Sequence, residues 1–247
     1  MKRLFDLIVT VVSAVIWVPV GLLCAGLIVI CDGPPVFYVS ERQVGIGKSI
    51  RVLKFRTMRR EADKIYNRDT EPVVGVRFLN TTHRSPLYTP IGRKLERFGL
   101  TELPQLLHVL TGSMSLVGNR PLPASVMQLL RTDFPKADDR FLTPAGVTGV
   151  IQVVGRDSVT DADRLAIESE YCYSCLSGYS MAVDLWLLIN TVLILGRVRH
   201  SMTIDQIRTG LRKFYMPRDR IAPANLRMPG PGAGRNNAAG IGTDDAS

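Results

Sequence analysis

From Leu7 to Ile30 the chain carries no charge. Apolar, small and hydroxyl residues follow one another, entered through Lys2 and Arg3 and interrupted by Pro19. A helix of roughly 20 apolar residues crosses the hydrocarbon core of a bilayer, so the length suffices. Proline removes a backbone donor and clashes with the preceding turn, which predicts a kink near Val18 and Pro19 and lets the segment enter and leave by one face. Basic residues flank it on both sides: Lys2 and Arg3 before, then Arg42, Lys48, Arg51, Lys54, Arg56, Arg59 and Arg60 after. A spanning helix prefers an imbalance, so this distribution favours a re-entrant hairpin with both ends in the cytoplasm. A cleavable signal peptide fits less well. The apolar run is too long, no small-x-small site follows, and Asp32-Gly33-Pro34-Pro35 leads directly into a strand-like stretch.

Beyond that segment the periodicity shortens. Val36 to Ser40 and Ile50 to Phe55 read as strands joined by a Gly45-Ile46-Gly47 turn. Residues 59 to 90 are polar and irregular, with a short helix expected around Arg60 to Tyr66. Ile91 to Arg97 and Glu102 to Leu110 read as helices, the second with Thr101 at its N-cap, Pro104 in its first turn and Gly112 after its end. Val147 to Val154 is β-rich, Asp161 to Tyr173 amphipathic, and Val183 to Val198 a strongly apolar helix. That last helix is too short to span and suits an interface or the core. Pro, Gly, Ala and Asn dominate from Pro217 onward, predicting a disordered tail. The expected division is a re-entrant membrane helix at 1–32, a catalytic domain at 33–216 and a tail at 217–247.

Composition adds a partner class. The 247 residues carry a net charge of +9. Basic surfaces beside a bilayer are drawn to anionic lipid, and arginines supply paired donors to phosphate. No recognition helix, zinc finger or aromatic RNA-binding signature accompanies the charge, so nucleic acid is not an expected partner. Four cysteines do not make a disulfide framework in a chain this long. Cys172-Tyr173-Ser174-Cys175 is a lone C-x-x-C without the second pair a structural zinc site needs, so free thiols are expected. Gly47-Lys48-Ser49 suggests a phosphate loop, but the glycine required five positions earlier is Arg42.

The densest polar information lies between Arg93 and Arg120. Arg93, Lys94, Arg97, Glu102 and Gln105 are followed by Ser115-Leu116-Val117-Gly118-Asn119-Arg120-Pro121. A carboxylate in a helix's first turn with arginine nearby has an ordinary explanation in helix-dipole pairing. A helix start, neighbouring arginines and a glycine turn bearing its own arginine also make a phosphate site beside a membrane. Arg120 and Arg156 are the candidate phosphate or nucleotide contacts. His83, His108 and His200 are scattered and read as incidental, His108 falling two turns from the helix start.

Glu102-Leu103-Pro104-Gln105-Leu106, followed by Val109-Leu110-x-Gly112-x-Met114-Ser115-Leu116-Val117-Gly118-x-Arg120-Pro121, resembles the core of the bacterial sugar transferases, the small monotopic phosphoglycosyl transferases. Further blocks resemble that family in the same order: Lys2-Arg3-x-Phe5-Asp6, Gly33-Pro34-x-Val36-Phe37, Arg42-x-x-Gly45, Lys54-Phe55-Arg56-Thr57-Met58, and Pro144-x-Gly146-Val147-Thr148-Gly149-x-x-Gln152 with Gly155-Arg156. Together they cover residues 2 to about 200.

The resemblance implies an α/β, α-rich monotopic protein at the cytoplasmic face of a bacterial inner membrane, with short strands and amphipathic helices behind the re-entrant hairpin. It implies transfer of a sugar-1-phosphate from a UDP-sugar to undecaprenyl phosphate, releasing UMP, with Mg²⁺ assisting, at the start of exopolysaccharide, capsule or O-antigen synthesis. Inner-membrane lipid and other polysaccharide assembly proteins are the remaining partners it suggests. By the same resemblance Thr101 and Glu102 are the catalytic positions, Glu102 the metal ligand, and Arg93, Arg97, Arg120, Arg156, Gln105 and Gln152 the substrate or phosphate contacts. The chain departs from the family where it matters. The family opens this helix with an Asp-Glu pair whose aspartate attacks phosphorus, and here the aspartate's position is Thr101. A phosphothreonine ester is stable and an unactivated hydroxyl is a weak nucleophile. Three routes stay open: Glu102 as nucleophile or base, Thr101 activated by Glu102, or a relative that binds lipid carrier or nucleotide sugar without chemistry. Glu96 stands where the family often has arginine, and Asn119 replaces a common proline. The family's acidic helix appears here as Glu168 and Glu170, with Tyr171 and Asp184 further on.

Overall fold

The computed structural model describes residues 1–60, 62, 86–155 and 159–214. The helix expected around Arg60 to Tyr66, Arg156 and the segment 217–247 read as a tail therefore lie outside the described residues, with Arg60 and Ala62 as exceptions. The chain is rich in helix with short strands, as the alternation of patterns implies. Helix α1 (Lys2–Val12) and helix α2 (Ala14–Asp32) make up the apolar segment. The helical run breaks at Ser13, ahead of the position where a kink is expected, and Pro19 sits inside α2. At Ser13 the hydroxyl turns back to the carbonyls of Val9 (2.6 Å) and Thr10 (3.2 Å), and the Trp17 indole N–H donates to Thr10 O (3.0 Å). Side chains thus take the Thr10 carbonyl at the point where the helix breaks.

Both ends of this segment dock on the same body. Near the start, Lys2 Nζ donates to Asp184 Oδ2 at 2.6 Å, Arg3 donates to the carbonyls of Val109 and Leu110, and Asp6 accepts from Ser115 Oγ at 2.7 Å. Near the end, Cys24 and Ile28 pack with Phe55 and Leu95, and the Arg56 guanidinium donates to the carbonyls of Asp32, Gly33 and Pro35. Between these anchors Leu4, Val11, Val12, Val15, Ile16, Leu22 and Leu23 stand at least 60 % exposed.

A β-hairpin follows. Strands β1 (Phe37–Gly45) and β2 (Lys48–Phe55) pair antiparallel, with Tyr38 opposite Lys54 and Arg42 opposite Ile50. Both strands run longer than the apolar stretches suggest, because the polar residues 41–43 and 48–49 pair across the ladder. Helix α3 (Pro90–Arg97) starts at Thr89, whose hydroxyl accepts from Gly92 N at 2.9 Å. A Cβ on Gly92 would meet Thr57 O at 2.0 Å, so only glycine lets α3 press this closely on the chain leaving β2. The helix expected from Glu102 begins instead as a 3₁₀ turn, Leu100–Gln105, and becomes helix α4 only at Leu106–Thr111. Gly99, left-handed at φ 67°, supplies the N-cap in place of Thr101. Gly112 ends α4 in the left-handed conformation, as its position predicts.

Strand β3 (Ser115–Val117) pairs in parallel with β4 (Gly146–Thr148), linked through helix α5 (Ala124–Asp133) and a 3₁₀ turn at Ala137–Phe141. The β-rich run from Val147 divides at Gly149: after it, Val150–Val154 forms the short helix α6. Helices α7 (Asp161–Ser177), α8 (Met181–Leu195) and α9 (Ile204–Phe214) complete the domain. Helix α8 buries Val183, Asp184, Leu187 and Asn190 in the core, while Met181, Leu185, Ile189 and Val192 on the opposite stripe are exposed. The main core joins the hairpin, β3, β4, α6 and these last helices through residues such as Val52, Val117, Val153, Ile167, Leu187 and Ile207.

One buried ion pair organises the loop after β3. Arg140 and Glu168, both at most 1 % exposed, meet with Nε to Oε2 at 2.7 Å and Nη2 to Oε1 at 2.9 Å. Arg140 Nη2 also donates to Arg120 O at 2.9 Å, and the Asn119 amide donates to the carbonyls of Arg140 (2.9 Å) and Glu168 (3.0 Å). Asn119, the residue that replaces a proline, therefore clamps two elements. Glu168 and Glu170 are spent on arginines, Glu170 receiving Arg208 at 2.9 Å. Removing one partner of a buried pair strands the other. Glu168→Gln should lower unfolding stability by about 3–5 kcal/mol, whereas Arg131→Ala at the exposed Arg131–Asp138 pair should cost no more than about 1 kcal/mol. Denaturant unfolding of the purified chain checks both.

Candidate active site

Lys54 is the centre of the site. It is the one cation in the run Val52-Leu53-Lys54-Phe55, placed by strand alternation on the face of the hairpin that also carries Tyr38 and Arg42. Its ammonium lies 5.0 Å from the centroid of the Tyr38 ring. Burial and the charges of Arg42 and Arg120 push Lys54 down to about 8, against the opposing pull of Glu96 and Glu102. Two cations and two carboxylates from four separate stretches of chain therefore act on one point.

Each arrives for a local reason. Arg42 stands on β1, its Nε donating to Ser40 Oγ at 3.1 Å. Arg120 is brought alongside because Gln43 N donates to Leu122 O at 2.8 Å, joining the hairpin to the chain just past Arg120. Glycines press that chain onto β4: a Cβ on Gly118 would meet Pro144 O at 2.3 Å, and one on Gly146 would meet Gly118 N at 2.1 Å. Glu96 comes from the last turn of α3, which Gly92 holds on the end of β2. Glu102 comes from the 3₁₀ turn, where its carboxylate forms an ion pair with Arg120. The reversal at Gly99 folds Thr101 back on α3, and Thr101 Oγ1 donates to Glu96 Oε2 at 2.9 Å.

This resolves how the residues read from sequence are disposed. Thr101 and Glu102 do point apart: the carboxylate that Thr101 touches belongs to Glu96, and the partner of Glu102 is Arg120. Thr101 thus contacts Glu96. Thr101 is only 4 % exposed, while Glu96, Glu102 and Arg120 are partly open to solvent. Gln105 is buried one turn beyond Thr101. Arg93 and Arg97 stand exposed on α3 and are not among the charges felt by Lys54. Gln152 lies on α6, its amide donating to Val147 O at 3.3 Å while its buried Oε1 accepts no hydrogen bond. Arg156 is outside the described residues. Among the described residues no three His, Cys, Asp or Glu side chains converge as a metal cage.

Lys54, Arg42 and Glu96 are the site residues that motif reading left out. For Lys54 the signal was weak, since β2 also carries Lys48 and Arg51, and only the fold sets this lysine beside Arg42 and Arg120. For Glu96 only the fold could supply it, since the turn at Gly99 creates the contact. His108 proves structural, as its scatter suggested: its Nε2 accepts from Leu53 N at 3.1 Å, and burial holds its pKa below the ordinary histidine range.

The site lies against the apolar segment, for Leu100, Leu103 and Ile91 pack on Cys24 and Ile28 of α2. A family model described as bacterial sugar transferase matches residues 1–197. The exopolysaccharide production protein ExoY of Sinorhizobium fredii is 31 % identical over 196 residues, covering 77 % of this chain and 83 % of that protein. The uncharacterized sugar transferase EpsL of Bacillus subtilis is 31 % identical over 192 residues, 78 % of this chain and 85 % of that protein. The undecaprenyl-phosphate galactose phosphotransferase of Salmonella typhimurium is 29 % identical over 201 residues, 80 % of this chain and 40 % of that longer protein. With four-fifths of its length matched and the cation cluster built from the matched stretch, the chain belongs to the bacterial sugar transferase family and is an enzyme of that kind.

Proposed function

We propose that the enzyme transfers a sugar-1-phosphate from a UDP-sugar to undecaprenyl phosphate, releasing UMP, and so starts the assembly of an exopolysaccharide, capsule or O-antigen. The observation that carries the reading is the convergence of Arg42, Lys54 and Arg120 beside an apolar helix. Three cations forced together need anions, and a diphosphate plus a lipid phosphate are the anions such a transfer brings. Relatives bear names consistent with it: a UDP-galactose-lipid carrier transferase from Erwinia amylovora and the galactose phosphotransferase already described.

The chain's own residues take these roles in the proposal. Arg42, Lys54 and Arg120 bind the diphosphate and offset charge that builds on the departing UMP. Glu102 is the residue the proposal gives to Mg²⁺. A Mg²⁺ that borrows substrate phosphates needs only one or two carboxylates, so the absence of a larger ligand cage among the described residues suits it. Bound there, the ion would neutralise diphosphate charge. Arg93 and Arg97, exposed near the site, and Gln105, Gln152 and Arg156 remain proposed contacts to the nucleotide or the sugar.

We further infer a re-entrant insertion at the cytoplasmic face. Helix α2 is long and apolar enough to cross a membrane by length and composition. What supports a hairpin is that Lys2, Arg3 and Asp6 at one end, and Asp32 and Gly33 at the other, are fastened to a single domain. A helix spanning about 30 Å of hydrocarbon would separate those ends. The apolar side chains exposed along α1 and α2 offer a surface suited to lipid.

In nanodiscs with undecaprenyl phosphate, Mg²⁺ and a panel of UDP-sugars, the enzyme should release UMP and form a lipid-extractable sugar diphosphate with at least one of them. No product from any sugar would overturn the proposal. Arg120→Ala, which removes a cation and frees Glu102, should lower kcat/KM by about 100-fold, or roughly 2.7 kcal/mol. Lys54 carries charge below about 8 and loses it above, so kcat/KM should fall as pH rises through that value, and Lys54→Arg should flatten the fall because arginine stays charged. Single cysteines introduced at Met1 and Ile46, in a chain whose native cysteines are replaced, should label from the same side of sealed vesicles. Labelling from opposite sides would exclude the hairpin.

A further inference from the structure

The chain places a threonine where a group transfer needs a nucleophile, and the geometry supplies another group. We propose that Glu96 is the nucleophile, with Thr101 as the residue that positions it; this rests on the transfer reaction proposed above. Three side chains at the site could attack phosphorus, and their surroundings separate them. Thr101 is 4 % exposed and donates its hydroxyl proton to a carboxylate, so its oxygen is shut away from solvent. Glu102 is engaged by the Arg120 guanidinium, which draws down the electron density an attacking oxygen must offer. Glu96 is partly open, its charge is felt by Lys54, and Thr101 holds only its Oε2, at 2.9 Å. A single neutral donor fixes the rotamer of a carboxylate without neutralising it, and leaves the second oxygen outside the Thr101 contact.

The electron accounting closes without a proton or a co-reactant. A Glu96 carboxylate oxygen attacks the phosphorus that bears the sugar. The bond from that phosphorus to the bridging oxygen breaks, and UMP leaves with the electron pair. The glutamyl phosphosugar so formed is a mixed anhydride, reactive enough to pass its group on, which a threonine ester is not. An oxygen of the lipid phosphate then attacks the same phosphorus, the acyl–oxygen bond to phosphorus breaks, and the Glu96 carboxylate is restored. Splitting the reaction this way also keeps the two anionic substrates from having to meet directly.

The arrangement gives Thr101 and Glu96 a joint meaning. Separately each is an odd residue for its position. Together they put a carboxylate and a hydroxyl in contact, with the acid delivered from the end of α3 and the hydroxyl from the 3₁₀ turn.

The test uses the full chain in nanodiscs. Incubated with a turned-over UDP-sugar and no lipid acceptor, the protein should gain the mass of one sugar phosphate. The adduct should map to Glu96 and be cleaved by neutral hydroxylamine, as acyl phosphates are. Glu96→Gln should abolish both adduct and turnover while UDP binding persists, which separates lost chemistry from a lost fold. Thr101→Val should lower kcat about 10- to 50-fold with little change in KM, and Thr101→Ser should restore it, since serine keeps the donor. An adduct on Thr101 or Glu102, a hydroxylamine-resistant adduct, or turnover by Glu96→Gln would overturn the inference and leave the transferase reading intact. Absence of turnover by the natural protein with every UDP-sugar would overturn both.

Discussion

The contact on which the site's frame depends is the buried pair of Arg140 and Glu168. Sealing two charges away from water costs several kcal/mol for each ion unless every donor and acceptor is met. Here the guanidinium is met by two carboxylate oxygens, by the carbonyl of Arg120 and by the face of Phe141. Asn119 fastens the carbonyls of the same two residues. The satisfied pair thereby fixes the backbone at positions 119 and 120, and through it the direction in which Arg120 leaves the loop. Stability and function share one network, with the site's arginine at its outer edge.

At that edge the electrostatics reverse. Arg42, Lys54 and Arg120 repel one another, and the two neighbouring carboxylates only partly offset them. The hairpin register, the backbone bond from Gln43 to Leu122 and the close contacts of Gly92, Gly118 and Gly146 hold them together against that repulsion. Cations held where they would not gather alone form a site whose rest state is improved by a bound anion. Such preorganisation is what phosphoryl transfer asks of a protein, because the groups need not reorganise while charge moves.

Much of this was legible in the chain. Period-2 and period-3.6 patterns gave the hairpin, α3, α7 and α8, and Gly112 marked a helix end. What escaped depended on contacts between distant residues. The 3₁₀ turn at Leu100–Gln105 hides in a helical pattern because its cause is the left-handed Gly99, and Thr101 has an N-cap's composition with a different partner. Residues after Gly149 are β-branched, yet Val150–Val154 coils into helix because the glycine crossing with Gly118 ends the strand. Helix α5 and the parallel pairing of β3 with β4 join residues some 30 positions apart, which no local pattern reports. Pro19 drew the predicted kink, whereas Ser13 and the Trp17 indole determine where the helix breaks. Among site residues the arginine of the glycine turn was evident, but the role of Glu96 was not, for its value lies in a turn that brings it back to Thr101.

The docking of the N-terminus sets an order of events. Lys2 and its partner Asp184 lie 182 positions apart. Asp6 waits for Ser115, 109 positions on. Contacts of such sequence separation form late, after the loops between them have been closed. The chain therefore holds the Lys2 end of its apolar segment unfastened long after Arg56 can meet Asp32 and Gly33, and only the arrival of α8 completes the socket that receives Lys2. Docking of this segment and folding of the domain are in this sense a single process, so a truncation that discards residues 1–32 does not release a finished domain. It removes the Lys2 contact from Asp184, the Asp6 contact from Ser115 and the packing of Cys24 and Ile28 from Phe55 and Leu95, and a shortened protein inherits an opened core.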